Sequence, residues 1–224
     1  MFTGFSEKMT AFLWGIRLNN NREWFLENKP TYLEYVQKPL SELARDVWTC
    51  MTEKNKLDIG SRVSRIYRDA RRIRDGGPYK EHLWFSLERK HDGWQTTPVF
   101  FFEISSEGYM YGLGYYMAPP STMKKFRGRL DANPAEFMRI AKKIQSLKDF
   151  QISGDEYSRK KGEKGNILDA WYNRKSVSVI AEHTGHDAIS SPEFTQILCT
   201  QLEKLVPLYH FLWSLEADAQ ELPK

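Results

Sequence analysis

The feature that most constrains the fold is a pair of strand-like segments near the middle of the chain, residues 98–105 (PVFFFEIS) and 108–116 (GYMYGLGYY). Phenylalanine and tyrosine favour strands, and the Glu-Gly step between the two segments is typical of a turn. The sequence therefore predicts a β-hairpin. Two glycines in its second strand, Gly112 and Gly114, indicate that another part of the chain approaches the backbone closely there.

Helical patterns precede this hairpin. Apolar residues recur at helical spacing over residues 6–18, 22–37 and 39–53. Pro30 removes a backbone N–H from the second pattern, so we expect a short helix, a kink and another short helix there. Pro39 suits the first turn of the third helix. The first quarter of the chain is thus predicted to be helical.

Helical patterns also follow the hairpin, over residues 122–131 and 134–146. A last helix is predicted to begin at Ser191-Pro192-Glu193, and Pro207 should kink or divide it. Between these helices, residues 149–165 are charged and contain glycine, which predicts a mobile basic loop.

Two more strands are predicted, at residues 83–89 and 177–182, from the alternation of their side chains. Helices, then strands, then helices indicate an α+β fold, with a mainly antiparallel sheet on which the N-terminal and C-terminal helices pack. A length of 224 residues is typical of a single domain. Its predicted parts are helical at 1–55, strand-rich at 62–117, helical at 120–148, and a strand followed by a long helix at 177–218.

Basic residues concentrate in residues 62–80 (RVSRIYRDARRIRDGGPYK). Six arginines and Lys80 against two aspartates give this segment a net charge of +5, in a chain whose net charge is +4. Arginine presents a planar fork of donors that fits carboxylate or phosphate in two-point contact. Because crowded guanidinium groups repel one another, carboxylates or a bound anion must offset the repulsion.

The leading hypothesis is therefore a protein that binds or acts on a small anionic ligand bearing phosphate or carboxylate. The predicted ligand-binding residues are Arg65, Arg68, Asp69, Arg71, Asp75, Tyr79, Lys80 and Trp24. Asp69 and His82 are the candidate catalytic residues, because a carboxylate or an imidazole beside cations can transfer a proton. These residues leave open whether the protein is an enzyme.

Two alternatives remain for the same segment. Its cations, together with Tyr67, Tyr79 and Trp84, could follow a nucleic-acid backbone and stack on bases. Alternatively, the arginines form an internal Arg–Asp network in a structural or partner-binding domain, where breaking a pair would strand a buried charge.

Motifs for cofactors and metals are not found. The sequence contains no P-loop, no GxGxxG between a strand and a helix, no CxxC, no HExxH and no GxSxG. His183, His186 and Asp187 are residue types that bind metals, but such a group is common by chance, and no metal or cofactor is predicted.

The cysteines and the ends of the chain bear on location. Cys50 and Cys199 lie far apart in helix-like patterns and are predicted to be buried free thiols in a reducing compartment. No run of 18 apolar residues predicts a membrane span, and the first residues do not resemble a signal peptide. We therefore expect a cytoplasmic protein.

Several groups of residues form a recognisable family pattern: Asn20 to Phe25, Tyr32, Pro39, Arg68-Asp69, Arg71, Asp75, Pro78-Tyr79-Lys80, Gly112 with Gly114, and Phe126-Arg127. On these residues the chain resembles the DUF2461 family over most of its length. Arg72 and Gly76 depart from the pattern, which usually has an aromatic residue and a lysine at these positions. The resemblance implies no particular activity, so the functional hypotheses rest on the residues themselves.

Overall fold

The computed structural model of the protein describes residues 1–69, 77–89, 93 and 95–217. Its α-helices are α1 (Glu7–Leu18), α2 (Arg22–Tyr32), α3 (Lys38–Asn55), α4 (Pro120–Ala132), α5 (Pro134–Gln145), α6 (Asn166–Tyr172), α7 (Phe194–Glu203) and α8 (Val206–Ala217). Its strands are β1 (Gly60–Val63), β2 (His82–Glu88), β3 (Pro98–Ser105), β4 (Gly108–Tyr115), β5 (Gln151–Ser153) and β6 (Ser178–Thr184). The fold is α+β, as predicted.

The strands form an antiparallel sheet in the order β1-β2-β3-β4-β6-β5. The predicted hairpin is confirmed as β3 and β4. A Cβ atom on Gly112 would lie 2.0 Å from the carbonyl oxygen of Val179, and one on Gly114 would lie 2.4 Å from the Cα of Ser178. The two glycines therefore allow β4 to pair closely with β6, the close approach that the sequence indicated.

The chain divides into two compact units. Unit 1 consists of residues 1–87, 101–111 and 182–200. Unit 2 consists of residues 88–100, 112–181 and 201–224, of which the structure describes the part up to residue 217. The single-domain organisation expected from the length stays a prediction.

The core of unit 1 is built around Phe102 on β3. Its ring stacks on Phe85 at 5.5 Å between centroids and meets Phe194 edge-on at 5.8 Å. Aromatic rings in such arrangements stabilise a core beyond the area that they bury. Pro30 lies inside α2, which continues through it to Tyr32, and a π-helical turn over Leu33–Gln37 leads into α3. The kink expected at Pro30 stays a prediction.

Unit 2 has an aromatic core of its own, in which Phe137 meets Trp171 edge-on at 5.0 Å and Phe211 at 4.7 Å. Pro207 lies in the first turn of α8, where its missing N–H does no harm, and the predicted long helix is divided into α7 and α8. The prediction of a loop throughout 149–165 is wrong for β5, which pairs with β6 and sets Ile152 opposite Val179.

The prediction of two free thiols is also wrong. Cys50 on α3 and Cys199 on α7 form a disulfide in unit 1, with their Cα atoms 6.5 Å apart. The two residues are separated by 149 positions, so only the packing of the helices shows that they meet. Within the residues that the structure describes, none of the helices combines the length and the apolar character that crossing a bilayer requires.

Candidate functional site

The basic segment 62–80 lies in unit 1, and its described part folds back on itself. Tyr67 and Tyr79 form an antiparallel bridge. The backbone N–H of Lys80 donates to the carbonyl oxygen of Ile66 at 2.8 Å. This pairing brings cations that are distant along the segment to one side of it.

Three of these cations, Arg62, Arg65 and Lys80, form what we call the cation cluster. The Nζ of Lys80 donates to the carbonyl oxygen of Arg65 at 2.8 Å and lies 5.7 Å from the ring centroid of Trp84. Lys80 is half-buried, whereas Arg62 and Arg65 are exposed. Burial lowers the pKa of Lys80, and the positive charges of Arg65 and Arg62 lower it further.

Arg68 has a carboxylate partner. Its Nη2 lies 3.1 Å from the Oε1 of Glu81, and both side chains are about one-third exposed. The sequence analysis considered an internal network of arginine and aspartate as an alternative. In the described part of the chain, Arg68 instead pairs with Glu81, a glutamate that the sequence analysis did not single out. Such a half-exposed pair contributes little to stability in most proteins.

Asn20, at the corner between α1 and α2, fixes the segment from the other side. Its side-chain amide donates to the carbonyl oxygen of Tyr79 at 2.9 Å and accepts from the N–H of Tyr79 at 3.0 Å. An asparagine amide can thus replace a neighbouring strand, because it offers a donor and an acceptor side by side. The segment is held at a fixed distance from the two helices.

Two of the predicted ligand-binding residues, Tyr79 and Trp24, pack against neighbouring rings. Tyr79 is 3% exposed and stacks on Phe25 at 4.2 Å between centroids. Trp24 packs against Phe12 at 5.5 Å and covers Gly15, where a Cβ atom would lie 2.3 Å from the indole ring. Phe25 thus supports Tyr79 of the segment, whereas Trp24 packs on α1.

Four predicted residues remain: Asp69, Arg71, Asp75 and His82. Asp69 is exposed, and Arg71 and Asp75 lie outside the described residues. His82 is exposed at the first position of β2. Burial raises the pKa of Glu103 on the neighbouring strand, and the charge of His82 opposes that shift. The catalytic roles suggested for Asp69 and His82 stay predictions.

Unit 1 also contains a cleft of about 200 Å³ on strands β3, β4 and β6. Its lining residues are Glu103, Ser105, Glu107, Gly108, Tyr109, Met110, Glu182, His183 and Thr184. None of the described residues predicted to bind a ligand lines it. The alternation of Glu103 and Ser105 with Phe102 and Ile104 along β3 could have indicated this polar face, because alternate residues of a strand share a face.

The two histidines considered as metal ligands have separate partners. The Nε2 of His183 lies 3.3 Å from the hydroxyl of Tyr111. The ring of His186 lies between the carbonyl oxygen of Ser105, at 2.9 Å, and the hydroxyl of Thr10, at 3.4 Å. The fold thus uses both imidazoles to connect elements of unit 1.

Comparisons with known proteins agree with the resemblance in the sequence. A search of curated proteins found no match. Residues 8–211 match the family described as conserved hypothetical protein (DUF2461), and this match includes α2 to α7, the cation cluster and Asn20. Since the match spans most of the chain, the protein belongs to the DUF2461 family.

Proposed function

We propose that this protein binds a small anion, bearing phosphate or carboxylate, at the cation cluster of Arg62, Arg65 and Lys80. The observation that carries the proposal is the position of the Lys80 ammonium, which is half-buried, bound to the carbonyl oxygen of Arg65, and subject to two guanidinium charges. Within the described part of the chain, the charges that shift the Lys80 pKa are both positive.

An anion at this position would remove a repulsion that the folded protein sustains. Like charges near a protein surface repel each other, and the guanidinium charges of Arg65 and Arg62 lower the pKa of Lys80 for this reason. A phosphate or carboxylate between them turns this repulsion into attraction. A guanidinium group presents paired N–H donors to such an anion, and Lys80 adds a compact positive charge.

The neighbouring residues have supporting roles in this proposal. Arg68 pairs with Glu81, so we leave it outside the proposed site. Tyr79 stacks on Phe25 and Trp24 packs against Phe12, so we assign neither ring to stacking on a ligand. Asn20 keeps the backbone of Tyr79, and with it Lys80, in place before any ligand binds. A site that is ordered in advance loses less entropy on binding.

The proposal is tested by titrating the isotope-labelled protein with inorganic phosphate and with acetate at constant ionic strength, while recording amide NMR spectra. The signal of Lys80 should shift and saturate with one of the two anions. Lys80→Met and Arg65→Gln should each weaken that binding, because each removes one cation of the cluster.

Lys142→Met, which removes an exposed cation from α5, is the matched control and should leave the binding unchanged. The proposal would be overturned if phosphate and acetate shift the Lys80 signal no more than chloride does. Binding that both cluster variants retain would also overturn it.

A further inference from the structure

A second basic surface lies in unit 2, on the loop that leads from β5 to α6. Asn173, which is 5% exposed, holds this loop through its side chain. The Oδ1 of Asn173 accepts from the N–H of Lys161 at 2.7 Å, and its Nδ2 donates to the carbonyl oxygen of Gly162 at 3.1 Å. The side chains on this part of the loop therefore start from a fixed backbone.

Cations of this surface lie over tyrosine rings. The guanidinium carbon of Arg127, on α4, lies 5.4 Å from the ring centroid of Tyr157, and the Nζ of Lys161 lies 4.5 Å from the same centroid. The Nζ of Lys164 lies 5.2 Å from the ring centroid of Tyr172. Such cation–π contacts orient the charged groups.

Arg127 has an unused donor. Its Nη1 is buried and has no hydrogen-bond partner among the residues that the structure describes. The neighbouring carboxylate of Asp131 is engaged elsewhere: it lies 2.6 Å from the Nζ of Lys164 and accepts from the hydroxyl of Tyr172 at 3.0 Å. A buried guanidinium N–H without an acceptor is unfavourable, and an anionic acceptor would relieve it.

We infer that Arg127, Lys161 and Lys164 form a binding site for a phosphate group. Lys164 pairs with Asp131, and Asp169 accepts from the backbone N–H of Lys164. Arg127 and Lys161 share the ring of Tyr157 beside this pair. The Nη1 of Arg127 supplies a directed donor from α4, and Lys161 and Lys164 supply point charges from the loop.

The tyrosines also indicate which part of a ligand is recognised. Cations already lie over the rings of Tyr157 and Tyr172, so these rings do not offer open platforms for stacking a nucleic-acid base. We therefore expect this surface to bind the phosphate group of a ligand and not a base. A free phosphate monoester and a phosphate in a nucleic-acid backbone share this chemistry, and the experiment separates them.

The test titrates the isotope-labelled protein with inorganic phosphate, at an ionic strength held constant with chloride, and follows the amide signals of Lys161 and Gly162. Both signals should shift together and saturate. Arg127→Gln and Lys161→Gln should each weaken the affinity about tenfold or more, because each removes a charge-assisted contact. Lys143→Gln, which removes an exposed cation from α5, should leave the affinity unchanged.

Lys161 is exposed, so the Lys161→Gln variant tests the inference even if Arg127→Gln fails to fold. Shifts that chloride alone reproduces, or an affinity that both variants retain, would overturn it. A short single-stranded oligonucleotide serves as a second probe: tighter binding than phosphate, lost in the same variants, assigns the site to a nucleic-acid backbone. The signals of Lys80 report the cation cluster separately, so either site can fail without the other.

Discussion

A Cβ atom on Gly77 would lie 2.0 Å from the carbonyl oxygen of Asn20 and 2.1 Å from its Oδ1. The absence of a side chain at Gly77 therefore lets the basic segment approach the corner between α1 and α2. These two residues are far apart in the chain, and their contact sets the position from which Tyr79 and Lys80 continue.

The first prediction concerns this contact. Gly77→Ala should destabilise the protein by several kcal/mol, since backbone and amide atoms must move to admit a methyl group; overpacking of this kind costs about 1–3 kcal/mol or more. Gly128→Ala is the control, because Gly128 lies within α4 with open space around it, and alanine there should stabilise by about 0.5–1 kcal/mol. Denaturant unfolding of both variants measures the difference, and an equal effect would contradict the prediction.

The second prediction concerns Asn20. Asn20→Ala removes both hydrogen bonds to the backbone of Tyr79 and should cost about 1–3 kcal/mol of the free energy of unfolding. Asn19→Ala, which removes an exposed hydrogen bond to Gly15, should cost less. Thermal unfolding compares the two, and a loss in Asn20→Ala no larger than in the control would show that Asn20 does not hold the segment.

The third prediction concerns the disulfide between Cys50 and Cys199. Closing a loop of this length reduces the entropy of the unfolded chain, with an upper estimate of about 5 kcal/mol at 25 °C. The oxidised protein should therefore withstand more denaturant than the same protein in a strong reductant. The Cys50→Ala/Cys199→Ala variant controls for effects of the reductant elsewhere and should not respond to it. Mass spectrometry of the alkylated, unreduced protein tests directly whether the bond is present.

The fourth prediction concerns Tyr32, which is 5% exposed and whose pKa burial raises from 10.0 to about 12. The unfolded chain releases this phenolic proton at lower pH than the folded protein does. The contribution of Tyr32 to the free energy of unfolding is therefore fully present below about pH 10. As the pH rises towards 12, the free energy of unfolding falls by roughly 2–3 kcal/mol. Tyr32→Phe should lose less stability than the wild type across this interval. Tyr116→Phe, at an exposed position, should behave like the wild type in unfolding titrations.

The fifth prediction concerns the charge of Lys80. Because burial and the two arginines lower its pKa below 10.5, the folded protein releases this proton more readily than the unfolded chain does. Charged Lys80 therefore lowers the free energy of unfolding at lower pH. This unfavourable effect disappears as the pH rises through the folded-state pKa of Lys80 towards 10.5. A bound anion favours the charged form, so phosphate should raise the pKa of Lys80.

Carbon-detected NMR of the lysine side chains follows this titration with and without phosphate. The Lys142 signal in the same spectra reports the effect of ionic strength alone. An unchanged Lys80 midpoint at saturating phosphate would contradict both this prediction and the proposed anion site.

Local patterns in the sequence predicted much of the fold. The hairpin of β3 and β4 follows from strand propensity on both sides of a short turn, and the division at Pro207 follows from the missing N–H. The π-helical turn after α2 was not predicted, because it has no simple sequence signal. Strand β5 is only three residues long and is defined by its pairing with β6.

The candidate sites were less predictable, because their contacts join distant residues. The crowding of cations in 62–80 pointed to Arg65 and Lys80, but not to the double hydrogen bond from Asn20. Likewise, Lys161 and Lys164 were noticed as charged loop residues, whereas Arg127 joins them only because α4 packs beside the loop. Asn173, which fixes that loop, has no distinctive sequence context.

The covalent link between α3 and α7 has a consequence for limited proteolysis. A single cut anywhere between positions 50 and 199 leaves two fragments that still travel together, since the sulfur bridge spans the break. Gel electrophoresis without reductant would then display an intact-sized band, and only added thiol would release the pieces. Digestion patterns of this protein therefore need to be compared under both conditions before a region is judged resistant.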